Sequence, residues 1–248
     1  MMVDPKLGEQ VDAALLAPEF KLNNRLHIPD FFNAEFATAV REALIGDVPW
    51  TRTMVIQGQG VEAPLNAFLA AGQRRLQLEA EVATTAQCGF LYSYDSYRLS
   101  DQLQAGRRVG GNFAPVEAVY DFLNSAVFLA FVRQLTDDQA PAYCDAHVTR
   151  YGAGHFLNRH HDGNTNTGRL YAYVLNLTPV WQTDWGGVLL FQDEAQNVIT
   201  GYPPRYNALN IFRVPQWHSV SQVASFVQAH RYSITGWVRT APVSMPTS

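Results

Sequence analysis

At 248 residues, 47% hydrophobic and 16% charged, the chain has the material of a globular protein with a sizeable core, and all-β cores with helical decoration run to this length as one unit. A formal charge of −4 offers no basic field to duplex nucleic acid, and two cysteines, Cys88 and Cys144, form no disulfide framework and fit a reducing cytoplasm. Met1 to Lys6 lacks the basic-then-apolar pattern of a signal peptide and no apolar run is long enough to span a bilayer, so the expectation is a cytoplasmic protein that binds neither nucleic acid nor membrane.

Residues 1–25 read as an N-terminal extension with a short amphipathic helix around 10–16. A short strand follows at Leu26-His27-Ile28, and Asn33 is placed to cap a helix whose apolar face is Phe36, Val40, Ala43 and Leu44. Pro64 opens a second helix running towards 76–82. Tyr92, Tyr94 and Tyr97 lead into a glycine-containing polar stretch, and 92–113 reads either as a mobile lid or as an edge hairpin with a loose tip. Pro115 opens a third helix, with Val119, Phe122, Leu123, Ala126, Val127 and Ala130 suited to packing on a sheet.

After Ala140 the pattern changes to short β-rich runs near 143–151, 169–177, 187–191, 208–214, 219–223 and 230–239. Helices followed by strands indicate an α+β chain with an all-β core. The turn-rich insert 163–168 either contacts a ligand or merely connects strands. The tail, 241–248, reads as loose.

Chemistry enters with His160-His161-Asp162. Side chains two apart on an extended segment point the same way, so His160 and Asp162 can reach one metal while His161 points elsewhere. The third ligand must come from a distant segment, and His218 follows the strand-like Ala208 to Val214. Two histidines and one carboxylate on one face of an octahedral metal leave three positions open, the ligand set of a non-haem iron(II) oxygenase. Further on, Arg231 and Ser233 share one face of a strand. A guanidinium fork and a hydroxyl there can seat a carboxylate, as a 2-oxoglutarate-using oxidase requires. Arg231 lies 13 residues after His218, the length of a strand, a turn and the return of its neighbour.

The ordered series Tyr151 to Asp162, Arg169 leading into Tyr173 to Leu177, Trp185-Gly186-Gly187 to Phe191, His218, and Arg231-Tyr232-Ser233 resembles the prolyl 4-hydroxylase-like 2-oxoglutarate/iron(II) dioxygenases, most closely the bacterial proline-hydroxylase-like members. The resemblance covers about 143–240 motif by motif and is looser from about residue 25. It implies a double-stranded β-helix (jelly-roll) core buttressed by N-terminal helices, a single oxygenase domain over 26–240, His160, Asp162 and His218 as iron ligands, and Arg231 with Ser233 as the 2-oxoglutarate anchor. Many relatives place a cofactor-holding tyrosine where this chain has Asn176, whose amide can donate the same bond. Tyr151 either lies near the cofactor or packs its ring.

The implied reaction consumes 2-oxoglutarate and dioxygen at Fe(II), with ascorbate as a supporting reductant, and hydroxylates a C–H bond. A prolyl residue in a peptide or protein is the leading substrate, with Trp181, Trp185, Tyr94 and Tyr97 as candidates for a groove; Trp185 reads equally as core packing beside Gly186-Gly187. A free amino acid or other small molecule is the alternative. A cupin-like metal-binding module without redox chemistry would keep the triad and need no Arg231. Oligomeric state is left open.

Overall fold

The alternation that begins after Ala140 folds into a sheet that also recruits strands from the N-terminal half. The computed structural model describes residues 3–163 and 167–242. In chain order the first part contains α1 (Ala13–Asn23), β1 (Arg25–Ile28), α2 (Ala34–Ile45), β2 (Thr51–Ile56), β3 (Gln59–Pro64), α3 (Leu65–Ala70), α4 (Gln73–Thr85), β4 (Tyr92–Tyr97), α5 (Leu99–Gln104), α6 (Ala114–Leu123) and α7 (Ala126–Thr136). The second part contains β5 (Tyr143–Cys144), β6 (His147–Tyr151), β7 (Phe156–His160), β8 (Arg169–Asn176), β9 (Leu189–Gln192), β10 (Val198–Tyr202), β11 (Ala208–Arg213), β12 (His218–Val220) and β13 (Arg231–Arg239).

The strands are antiparallel in the order β1-β11-β8-β13-β6-β4-β7-β12-β9-β10, with the β2–β3 hairpin joined to β4 and β5 joined to β13. The ribbon rolls so that β6, β8 and β13 line one side of a cavity and β7, β9 and β12 another, a nearly closed barrel of jelly-roll type. Strand parity divides the work. On β13, Ile234 and Val238 are buried in the core shared with the helices, whereas Arg231, Ser233, Thr235, Trp237 and Arg239 line the cavity. On β6, Val148 joins that core while His147, Thr149 and Tyr151 line the cavity.

The helices supply the apolar cover that an amphipathic sheet requires. Phe31, Phe32, Phe36, Phe122, Phe128 and Phe131 form an edge-to-face aromatic cluster against it. Helix α1 belongs to the same core, because Phe20 is buried and meets the Tyr171 ring edge-on at 5.8 Å. Asn33 stands at the N-cap of α2 but makes no side-chain cap, its Oδ1 accepting instead from the Lys6 amide at 3.1 Å.

Four expectations are corrected. The single helix after Pro64 is two, α3 and α4, broken at Gly72, whose φ of +51° suits glycine. The single helix after Pro115 is likewise two, α6 and α7, broken at Asn124 and Ser125, and Ala126, Val127 and Ala130 are exposed instead of packed on the sheet. The stretch 92–113 is not an edge hairpin: Tyr92–Tyr97 is an interior strand, Leu99–Gln104 a helix, and the buried Glu117 carboxylate accepts from the Val109 amide at 2.6 Å. And β13 is not the neighbour of β12, since 221–230 carries the chain across to pair with β6 and β8. Residues 164–166 of the turn-rich insert and 243–248 of the tail lie outside the described residues. Among the described residues no single helix is long and apolar enough to cross a membrane.

Candidate metal and 2-oxoacid site

Strand β7 ends at His160, and the register of β12 places His218 directly opposite. The chain then turns through Asp162 at φ +58°, an uncommon conformation for a residue other than glycine. The turn brings Asp162 Oδ1 to 3.5 Å from His160 Nε2 and Oδ2 to 3.4 Å from His218 Nε2. One ligand atom from each of the three residues lies within 4.8 Å of the others. Both imidazoles are oriented the same way: His160 Nδ1 lies 2.9 Å from the Asn158 carbonyl and His218 Nδ1 2.8 Å from that of Gln216. A carbonyl can only accept, so each Nδ1 carries the proton and each Nε2 presents its lone pair. Burial pushes the His160 pKa down and, with the His160 ring beside it, that of His218 down to about 4, keeping both rings in the neutral form that a metal requires. His161 is exposed, accepts from the Gly163 amide and packs on Trp217, as its parity requires.

Arg231 sits in the same cavity at the start of β13, between Tyr151 on β6 and the end of β8. It is only 2% exposed. Its contacts are sparse: Nη2 donates to Asn176 Oδ1 at a long 3.4 Å, the guanidinium lies 5.1 Å from the Tyr151 ring centroid, and Nε has no partner. Burial lowers its pKa, and among the described residues no carboxylate is paired with it to offset that. A buried cation without a counter-charge is costly. Ser233 lines the cavity on the same face, its hydroxyl 2.8 Å from that of Thr149. Asn176, fully buried, touches Arg231 without lining the cavity, and its Nδ2 has no partner among the described residues. Tyr151 does line it, stacked on Tyr94 with ring centroids 4.9 Å apart.

The cavity measures about 970 Å³, more than a five-carbon diacid and a metal ion fill, since about 300–1,000 Å³ is the span of whole ligand sites. Its remaining wall holds residues that sequence reasoning missed. Arg169 lies 3.6 Å from the Trp237 ring centroid and 3.9 Å from Asp162 Oδ1, with its Nε unpartnered. Trp237 was legible, because it shares parity with Arg231 and Ser233. Of the four aromatics expected in a groove, only Tyr94 lines the cavity. Trp181 and Trp185 pack on one another at 5.3 Å, and Tyr97 packs on Phe113. The neighbouring Gly186, at φ +74°, is required, since a Cβ there would fall 1.9 Å from the Gln222 carbonyl oxygen.

Comparison with known proteins agrees with this geometry. Residues 146–239 match the 2OG-Fe(II) oxygenase superfamily. The fold is similar to that of a Pseudomonas putida prolyl-4-hydroxylase, with a TM-score of 0.56 and 17% identity over 96% of this chain and 99% of the other. It is also similar to a Trichoplax adhaerens prolyl hydroxylase in complex with a hypoxia inducible factor peptide fragment, with a TM-score of 0.54 and 19% identity over 92% and 89% of the two chains. Over 86 residues, 32% of this chain, it is 33% identical to the prolyl 3-hydroxylase OGFOD1 of Mus musculus, of whose length the match spans 16%.

Proposed function

We propose that this chain, a dioxygenase with a 2OG-Fe(II) oxygenase domain that uses Fe(II), 2-oxoglutarate and dioxygen, hydroxylates a prolyl residue in a peptide or protein. The observation that carries the reading is Arg231, a buried guanidinium with no carboxylate partner, in one cavity with the converged His160, Asp162 and His218. A metal-binding module without redox chemistry would have no use for that cation.

In this reading His160, Asp162 and His218 hold the iron, and Arg231 receives the distal carboxylate of the co-substrate, with Ser233 and Thr149 supplying hydroxyls beside it. When bound, iron and 2-oxoglutarate supply the oxidising chemistry, which converts the co-substrate to succinate and carbon dioxide and places one oxygen atom on the substrate. The protein's share is placement. Asn176 steadies the guanidinium, Tyr151 and Tyr94 close the apolar side of the seat, and the carbonyls of Asn158 and Gln216 fix the imidazole tautomers. Trp237 and Arg169, stacked on one another, form the remaining wall of the space left for the substrate. The fold likeness to prolyl hydroxylases and the match to OGFOD1 support the prolyl choice. A second reading, a free amino acid or small metabolite, is favoured by the enclosed polar end of the cavity at Asp145, His147 and Arg239.

The test is reconstitution with Fe(II) and 2-oxoglutarate and a succinate assay against prolyl peptides and free amino acids, with mass analysis for one added oxygen atom. Peptide-dependent succinate and a hydroxyprolyl product are expected. His160→Ala, Asp162→Ala and His218→Ala should each abolish both. Succinate stimulated by free amino acids and by no peptide would replace the prolyl-peptide reading.

A further inference from the structure

The cavity has a rim that neither the triad nor the Arg231 seat uses. Arg159, just before His160 on β7, holds its guanidinium carbon 3.7 Å from the ring centroid of Trp217, the residue before His218. His161 meets the same indole edge-on at 4.6 Å, and Phe90, 49% exposed, stands 5.2 Å from the His160 ring. All four line the cavity.

Arg159 has one hydrogen bond and no direct ion pair among the described residues, although its charge is felt at the Asp193 carboxylate. Its Nη2 donates to the Asp193 backbone carbonyl at 2.9 Å, and its Nε has no partner. The Asp193 carboxylate is engaged by the backbone and side-chain amides of Asn197 at 2.8 and 2.9 Å. Residues 163–168, which follow the metal motif, contain no acidic side chain. Of the other arginines lining this cavity, Arg98 is paired with Glu62, Arg239 with Asp145 and Arg169 with Asp162, and Arg231 is the seat already described. Stacking on Trp217 restrains the guanidinium, which lowers the entropy cost of receiving a ligand there, and its free edge matches a carboxylate. Arginine and tryptophan are also the side chains that dominate recognition energetics.

We propose that Arg159, held by Trp217, is a specificity-determining residue that reads a carboxylate on the substrate next to the oxidised ring. This rests on the prolyl reading above. The carboxylate has two possible sources, an acidic side chain flanking the proline in a peptide or the α-carboxylate of a terminal or free proline. The same guanidinium recognises either.

Matched pairs separate the sources: capped prolyl peptides with Glu or Gln at each flanking position, and N-acetylproline against its amide. Binding to the anaerobic protein loaded with Fe(II) and 2-oxoglutarate is measured by calorimetry, and hydroxylation is measured in parallel. In at least one pair the acid should bind about ten-fold more tightly than its amide, the effect of one charge-assisted hydrogen bond. That ratio should fall to about one in Arg159→Gln and be partly kept in Arg159→Lys, which retains the charge and loses the fork. A ratio near one in every wild-type pair, or one unchanged in Arg159→Gln, overturns the assignment. Acid-selective binding without hydroxylation in any arm would remove the prolyl reading and leave the role of Arg159 standing.

Discussion

Two arginines stand at opposite ends of β13, on the same face and nearly equally buried, Arg231 at 2% and Arg239 at 4% exposure. Arg239 donates from Nε to Asp145 Oδ2 at 2.5 Å and from Nη1 to the Thr167 carbonyl at 2.6 Å, while Asp145 Oδ1 accepts from the Trp237 amide at 2.6 Å. Arg231 has one long contact to an amide and a hydrogen-bonding group left over. Burial costs both cations alike, and only one is repaid within the chain. A buried charge compensated by the fold is structural, whereas one left uncompensated marks where a ligand completes the structure.

The largest expected effect lies at the compensated end. Asp145→Ala strands Arg239 in a buried site and should destabilise the protein by about 3–5 kcal/mol, read by urea unfolding without ligands. A loss no greater than that of an ordinary surface substitution would mean that Arg239 is not held by this pair. Arg231→Met, measured in the same way, should cost less than about 1 kcal/mol or stabilise, because it removes an unrepaid charge.

Acid extends the contrast to histidines. His155 is a packing residue whose Nδ1 accepts from the Gly152 amide at 3.0 Å, and burial with the nearby Arg52 charge pushes its pKa down to about 4. His218, in the metal site, is also pushed down to about 4. The unfolded chain takes up these protons near pH 6.5 and the folded chain only near pH 4, so ligand-free stability should fall as pH drops across that window. His155→Asn, which can keep the acceptor, should flatten the slope. Added Fe(II) should steepen it through His160 and His218 and not through His155, and a slope indifferent to iron would remove both from the metal site.

A smaller effect is expected at Ser233, where Ala removes one hydroxyl and should weaken 2-oxoglutarate by about five-fold, on the order of 1 kcal/mol. An unchanged affinity would leave the hydroxyl merely paired with Thr149.

Much of this site could be read before any fold was known, for a physical reason. Period-two parity on a strand fixes relative direction, so Arg231 with Ser233 could be paired from spacing alone, whereas His160 and Asp162 could be matched by their spacing but meet through the turn at Asp162, after β7 has ended. Pairing between distant strands is not local, and there the reading failed. Residues Tyr92–Tyr97, which carry Asp95 into a buried pair with Arg52 at 2.7 Å, read as part of a loop or of an edge hairpin and not as an interior strand, because serines and an aspartate interrupt the apolar alternation. Trp181 and Trp185 read as groove residues because aromatic type reveals neither partner nor exposure. Arg159 and Arg169 carry no signal of their own, since their stacking on Trp217 and Trp237 exists only in three dimensions.

The central claim is that Arg231 is buried in order to receive a carboxylate. Titration of 2-oxoglutarate into the anaerobic Fe(II) protein, followed by the visible charge-transfer band of the chelate, tests it most directly. Arg231→Ala should shift the midpoint roughly 30- to 150-fold, for about 2–3 kcal/mol of charge-assisted hydrogen bonding, with Fe(II) affinity little changed. The same band at the same midpoint in wild type and Arg231→Ala would contradict it.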